Sequence, residues 1–247
     1  MSTYDDTFFE YVNSGATRSA ERILPLLLLH VEVGSVLDVG CGQGAWLTVY
    51  KALGVKEITG LDGDYVDRDH LRIPNSSFVA SDLSKGFDLG RRFDLVQSIE
   101  VAEHLPMTSA ARFVDSLVQH GDLIMFSAAA KGQGGDYHIN EQDYEYWRAH
   151  FARHGYVAID YIRPLVLDDA RIEPWYRYNL FLYASPERFE FLPMAIKQSR
   201  VSDGEKLRDL SPPIYKLRKM LVRILPVPAA TWLAKIKEKL VFKARCH

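Results

Sequence analysis

Glu100, Glu103 and His104 stand at positions i, i+3 and i+4, and a second histidine, His138, follows within Gly134-Gly135-Asp136-Tyr137-His138-Ile139-Asn140-Glu141-Gln142. On a helical turn the first three side chains share one face. Two carboxylates and an imidazole converging on one point could hold a divalent cation, with His138 completing the set. The same histidines are the side chains best poised near neutral pH to take a proton from a hydroxyl, which makes His104 and His138 candidate bases. Upstream, Val36-Leu37-Asp38-Val39-Gly40-Cys41-Gly42-Gln43-Gly44 runs an apolar segment through Asp38 into three glycines at alternate positions. Without side chains, Gly40, Gly42 and Gly44 can take positive φ and let a ligand touch the backbone. Gly40-x-Gly42-x-x-Ala45 also satisfies a dinucleotide pattern, with Asp62, eighteen residues past Gly44, placed to reach a ribose. The glycines alone leave the cofactor open.

Strands and helices must alternate to position these groups, and the hydrophobic pattern supplies that alternation. It predicts a helix over 16–29, strands over 35–39, 57–61, 77–80, 93–98 and 122–127, helices over 45–53 and 109–119, and a short helix after Asp64. A polar loop over 131–136, a helix over 141–154 and strands over 156–162 and 179–183 complete the pattern. Such alternation implies a parallel, doubly wound α/β sheet with helices on both faces. In such sheets ligands bind at the carboxyl ends of strands, which singles out Asp62 with Gly63, and Asp82 with Leu83. Each aspartate would equally suit a helix N-cap.

Two motifs carry a family resemblance. Asp38 completes Asp-x-Gly-x-Gly-x-Gly, and Phe93-Asp94-Leu95-Val96-Gln97-Ser98-Ile99-Glu100-Val101-Ala102-Glu103-His104-Leu105-Pro106 resembles the FD(L/V)V…EHL(P) segment of small-molecule methyltransferases. The chain thus resembles class I S-adenosylmethionine (SAM) methyltransferases, whose Rossmann-like sheet has seven strands, mostly parallel, with an antiparallel hairpin at the edge. The resemblance implies SAM as cofactor and S-adenosylhomocysteine as product. It places Asp38, Gly40, Cys41, Gly42 and Gly44 in the cofactor loop, Asp62 and Gly63 at the ribose, Asp82 and Leu83 at the adenine, Ile99 beside the methionine part and Arg18 on the cofactor carboxylate. The Glu-x-x-Glu-His spacing also occurs in ubiquinone-pathway O-methyltransferases and small-RNA 2′-O-methyltransferases, which use a metal there. Many relatives carry Glu-His at this place without one, so no metal is assigned.

Methyl transfer is an in-line displacement at a sulfonium carbon, so the enzyme has mainly to align the acceptor and exclude water. A hydroxyl acceptor needs a base as well. Gly-Gly-x-x-His-(I/V)-Asn-Glu-Gln followed by Tyr146-Trp147 resembles a signature of bacterial methyltransferases of glycan and natural-product pathways. Asn140 can cap the next helix, leaving His138 to face the substrate. Glu100, Glu103 and Asn140, with Trp175, Tyr176 and Arg177 from Glu173-Pro174-Trp175-Tyr176-Arg177-Tyr178-Asn179, are candidate acceptor contacts. Aromatic faces with an arginine suit a sugar or aromatic polyol, although Trp175 and Tyr176 could also pack the edge hairpin. O-methylation of a small molecule or saccharide is the expected activity; N-methylation and an inactive SAM-fold scaffold are the alternatives.

The 247 residues suffice for one α/β domain with additions, and a hydrophobic content of 47% excludes repetitive or low-complexity classes. The acidic N-terminal residues, and an apolar stretch over 23–33 broken by Pro25, His30 and Glu32, predict neither a signal peptide nor a membrane span. Two cysteines, Cys41 and Cys246, offer no disulfide framework, which suits the cytoplasm. Charge divides the chain: residues 1–196 carry 17 Lys+Arg against 28 Asp+Glu, and residues 197–247 carry 13 against 4. The expected organisation is a methyltransferase domain over 1–196 and a basic amphipathic helical tail over 197–247. That tail could touch the inner face of a membrane, dock on the acidic body or join a homodimer. Nucleic acid is not expected as a partner, because the acidic body offers no basic surface beside the site.

Overall fold

The computed structural model describes the backbone of residues 6–222 and the side chains from Ser14 onward. Its sheet has seven strands: β1 (Ser35–Val39), β2 (Glu57–Asp62), β3 (Phe78–Ala80), β4 (Leu95–Ile99), β5 (Leu123–Ser127), β6 (Val157–Ile159) and β7 (Phe181–Ala184). They lie in the order β3-β2-β1-β4-β5-β7-β6. The first five pair in parallel, and β7 runs antiparallel to both β5 and β6, which gives the expected edge hairpin.

Period-2 alternation sends successive residues to opposite faces. Val36, Leu95, Leu123 and Met125 join α1 (Asp6–Leu28) and α2 (Ala45–Ala52) on one side through Ile23, Leu24, Leu27, Trp46, Leu47 and Tyr50. Leu37, Val39, Val96, Ile124 and Phe126 meet α3 (Ala110–His120) and α4 (Tyr144–Ala152) on the other through Phe113, Val114, Leu117, Trp147 and Phe151. Asp94 fixes the β1–β4 register end: its Oδ2 accepts from Gly34 N, Ser35 N and Ser35 Oγ at 2.8 to 2.9 Å.

Several boundaries differ from the sequence expectation, each because of a long-range partner. The helix expected from 141 begins at Tyr144, with Asp143 as N-cap, since Glu141 is tied back to the preceding loop. Asn140 is therefore no cap; it is buried, and its backbone N–H donates to Glu103 O. The strand expected over 156–162 stops at Ile159, because Arg163 reaches back to Asp160 and starts α5 (Ile162–Val166). Residues 174–179 form a helix, α6 (Pro174–Asn179), with proline at its first turn. After α7 (Pro186–Glu190) and α8 (Met194–Lys197) the chain keeps contact with the sheet edge: Ile159 bridges Arg200, and Arg148 donates to the carbonyls of Val201, Ser202 and Glu205. The last described element is α9 (Pro213–Val222); the second amphipathic segment, Trp232 to Lys243, and Cys246 lie outside the described residues. Among the described residues no helix is long and apolar enough to cross a membrane.

Arg163 holds this edge together. It is fully buried, pairs with both oxygens of Asp160 at 2.7 and 2.8 Å, donates to the carbonyls of Tyr178 and Arg208, and stacks 3.8 Å from the Phe181 ring centroid. Removing one partner of a buried pair leaves an uncompensated charge. Arg163→Leu is expected to cost roughly 3–5 kcal/mol, read as a lower denaturant midpoint at unchanged slope, and adding Asp160→Leu should recover part of the loss.

Candidate functional site

The glycine loop joins β1 to α2, and a cleft of about 1000 Å³ opens beside it at the carboxyl ends of β1, β2, β3 and β4. Gly40, Gly42, Asp62, Gly63, Asp82 and Leu83 line one part; Glu100, Val101, His104 and Leu105 line the other. Two glycines have different reasons to be glycine. At Gly40 (φ 83°) a Cβ would lie 2.2 Å from Val101 Cγ2, so packing and conformation both forbid a side chain. At Gly42 (φ 52°) a Cβ would have nothing within 4 Å; its side-chain space is open, free for a ligand.

Asp62 is buried at the end of β2 and already saturated in part. Its Oδ2 accepts from Gly42 N at 2.7 Å, and its Oδ1 accepts from Gly63 N and the Tyr65 hydroxyl, both at 2.6 Å. A carboxylate oxygen has two lone pairs, so a ribose hydroxyl bound at Oδ1 must take the place of Tyr65. Asp38 is buried beneath the loop, and desolvation, reinforced by the Asp62 charge, pushes its pKa up to about 7 against the hydrogen-bonding effect of Gln97. Asp82 caps a 3-10 turn through Ser84 and pairs with Lys85; these partners hold its carboxyl below the usual range, and it still lines the cleft.

Besides the buried Asp38, four residues expected at the cofactor lie off the cleft or contribute only backbone; Gly44 stands at the start of α2 with φ 87°, where a Cβ would meet Ile73 Cγ2 at 2.9 Å. The Cys41 side chain packs toward Gly60, where a Cβ would meet its Sγ at 2.6 Å, and burial pushes the thiol pKa well up. Ile99 ends β4 half-buried, just ahead of the lining residues Glu100 and Val101. Arg18 is not brought to the cleft: its guanidinium pairs with Glu173 at 2.8 Å and donates to Arg171 O at 3.0 Å.

At the other end, Glu100, Glu103 and His104 do not share a helical face. Glu100 has φ 56°, and only Ala102–His104 forms a 3-10 turn, so the first carboxylate turns away from the other two groups. Ser127 Oγ (2.9 Å), Gln133 Nε2 (2.7 Å) and Asn179 Nδ2 (3.2 Å) all donate to the Glu100 carboxylate. The metal-type set is instead Glu103, His104 and His138, whose ligand atoms lie within 4.8 Å of one another. Glu103 is fully buried, and neither of its carboxylate oxygens has a hydrogen bond of normal geometry among the described residues, although the backbone amides of Glu103 and Ala129 lie close enough to favour its charged form. Burial and then the Glu100 charge push its pKa well up. An orphaned carboxylate beside two imidazoles is a donor set that fits a divalent cation.

The histidines are oriented by acceptors on their own loop. Tyr137 O, which can only accept, lies 3.3 Å from His104 Nδ1, so that nitrogen carries the proton and Nε2 keeps its lone pair. Desolvation of the ring and then the neighbouring His138 lower the His104 pKa to about 4. The two rings meet edge to face at 4.9 Å. His138 Nδ1 lies 2.8 Å from Glu141 Oε1, and the Glu141 carboxylate also accepts from Gly132 N and Gly134 N. Glu141, Gln133, Asn179 and Ser127 are site residues that sequence spacing did not single out, because their partners are 3 to 79 positions away. A glutamate following a glycine-rich turn was the only available signal.

The expected acceptor wall is placed differently. Tyr176 is buried edge-on against Trp46 (5.3 Å) and Trp175 (5.8 Å), and Arg177 donates to Leu167 O, so these three pack α6 onto α2 and the sheet edge.

Residues 10–164 match the model of a family described as a methyltransferase domain. A search of the curated proteins finds no match. Among solved structures, DesVI of Streptomyces venezuelae superposes with a TM-score of 0.55 at 17% identity over 73% of this chain and 96% of its own. The methyltransferase domain of a bacterial protein, CtHen1-C, gives 0.51 at 21% identity over 69% and 98%. The sugar N-methyltransferase KedS8 from a Streptoalloteichus species gives 0.52 at 15% identity over 75% and 96%. At these identities the likeness is one of fold.

The raised pKa of Asp38 has a signed consequence. Folded protein keeps a proton there that the unfolded chain releases above its ordinary value of 3.8, so the stabilisation is complete below that pH and is lost as pH rises through about 7. Asp38→Asn, which cannot ionise, is expected to gain on the parent by up to about 1.4 kcal/mol per pH unit across that window. Melting temperatures of both proteins at several values between pH 4 and 7 measure the difference.

Proposed function

The chain belongs to the methyltransferase-domain family, with S-adenosylmethionine as methyl donor, and from that premise we propose that it methylates a hydroxyl group of a small molecule or saccharide. One observation carries the reading: a single cleft joins the open Gly42 and Asp62 to His104, so donor and acceptor can be held side by side in one space. The cofactor end is built from the open backbone at Gly42 and the carboxylates of Asp62 and Asp82. A ribose hydroxyl bound at Asp62 Oδ1 would take the place of the Tyr65 hydroxyl. The acceptor end combines the apolar Val101 and Leu105 with Glu100 and His104, a mixture that suits a polyol.

His104 presents the Nε2 lone pair to the acceptor, and its lowered pKa keeps the ring neutral at physiological pH while making it a weak base. Glu141 holds the His138 ring in place against His104. Burial pushes the Glu103 pKa up, and a positive charge in this pocket, whether an imidazolium or a bound cation, would favour its ionised form. Glu103, His104 and His138 would be the residues to hold a divalent cation, which when bound acts as a Lewis acid on an acceptor oxygen. An amine acceptor is the second reading, favoured by the low His104 pKa, since a nitrogen nucleophile needs less help from a base.

Calorimetry with SAM and with S-adenosylhomocysteine tests the cofactor end: Asp62→Ala is expected to weaken binding at least about tenfold. For the acceptor end, labelled SAM is offered with sugars, nucleotide-sugars, phenolics and amines. His104→Gln and His138→Gln are expected to lower kcat roughly a hundredfold while SAM affinity holds. Turnover of amines alone would replace the hydroxyl reading, and product release that no acceptor stimulates would leave a SAM-binding scaffold. Full rate after chelation would remove the cation.

A further inference from the structure

The last described helix sits on the domain with its polarity reversed. Ile214, Leu217 and Leu221 recur at i, i+3 and i+7 on α9, the spacing of a face that normally packs inward. They are 70%, 50% and 55% exposed, and the adjacent Met220 is 55% exposed. The side chain that α9 does bury is Lys219, paired with Asp209 at 2.8 Å. Tyr215 adds an edge contact to Tyr178 at 5.5 Å. The helix is thus fixed in place by a salt bridge and a ring contact, and its apolar face is left outward.

The helix also lies against the loop over 131–142. A Cβ on Gly134 would lie 3.3 Å from Val222 Cγ1 and 3.9 Å from Arg218 Nη2, so α9 borders the loop that carries His138. That loop itself exposes Tyr137 and Ile139, at 49% and 59%.

We propose that α9 is a docking helix that lays its apolar face on an anionic lipid surface and brings the acceptor end of the cleft to that surface. Charge selects this occupant. Beside the buried, paired Lys219 the helix has Lys216 and Arg218 and no acidic residue. Residues 223–247 add six Lys+Arg against one Asp+Glu, so the following segment would meet α9 with like charge rather than complement it. A surface offering both negative charge and an apolar interior matches exposed Leu, Ile and Met flanked by Lys and Arg. The inference does not depend on which acceptor is methylated.

The full chain is sedimented with vesicles of phosphatidylcholine alone or mixed with phosphatidylglycerol, beside the variant carrying Leu217→Glu and Leu221→Glu. The parent is expected to pellet with the mixed vesicles and not the neutral ones, in a salt-sensitive way, and the variant to partition about tenfold less. Both proteins should bind SAM equally by calorimetry, which separates a failed docking idea from a failed cofactor reading. If the glutamate pair loses SAM binding, Leu217→Ser with Leu221→Ser is read instead. No vesicle binding by the parent, or equal binding by parent and variant, overturns the proposal. So does a vesicle-free dimer that the substitutions convert to monomer, because the face then belongs to a second copy.

Discussion

The site hangs on the backbone turn at Glu100. A glutamate at positive φ stores on the order of 1–3 kcal/mol and persists only where its surroundings over-determine it. Here they do: Ser127 from β5, Gln133 from the following loop and Asn179 from α6 all donate to its carboxylate. The turn has two outputs. It brings Val101 over Gly40, closing the cofactor loop from above, and it starts the 3-10 turn that aims Glu103 and His104 at the loop of His138. Donor end and acceptor end are set by the same few bonds, so a change in one is felt in the other.

Seen this way, the loop over 131–142 is a second structural layer and not a disordered cover. Ile139 N and Asn140 N both donate to Glu103 O, Glu141 accepts from two loop amides, and Tyr137 O orients His104. His104 is thus oriented by a backbone carbonyl, and His138 by a carboxylate that loop amides themselves hold. Glu103 is the exception: its backbone carbonyl is doubly used while its carboxylate has no hydrogen bond of normal geometry among the described residues. A group that costs free energy to bury unpartnered marks where the site expects something else.

The sequence discloses the strands with little error, because period-2 burial is a local signal, and it discloses the glycine loop because positive φ demands glycine. Asp62 and Asp82 were legible from the rule that ligands sit at strand carboxyl ends. What was not legible depends on partners far along the chain. Arg18 reads as a ligand for a carboxylate and is one, but the carboxylate is Glu173, 155 positions away. Glu100, Glu103 and His104 have helical spacing, yet the strain at Glu100 separates them. Trp175 and Tyr176 look like a sugar platform, but Tyr176 is core, since α2 offers Trp46 as an edge partner, and the half-buried Trp175 packs against Tyr176. Spacing reports which side chains could meet; tertiary contacts decide which do.

Electrostatics connects the two ends. Asp38, Glu100 and Glu103 all have pKa values raised mainly by burial, and at Glu100 the donors Gln133, Asn179 and Ser127 oppose that rise. The methyl donor is a sulfonium cation, and a positive charge brought among desolvated acids favours their ionised forms. By linkage, whatever favours ionisation on binding must bind more tightly as pH rises toward the shifted pKa values.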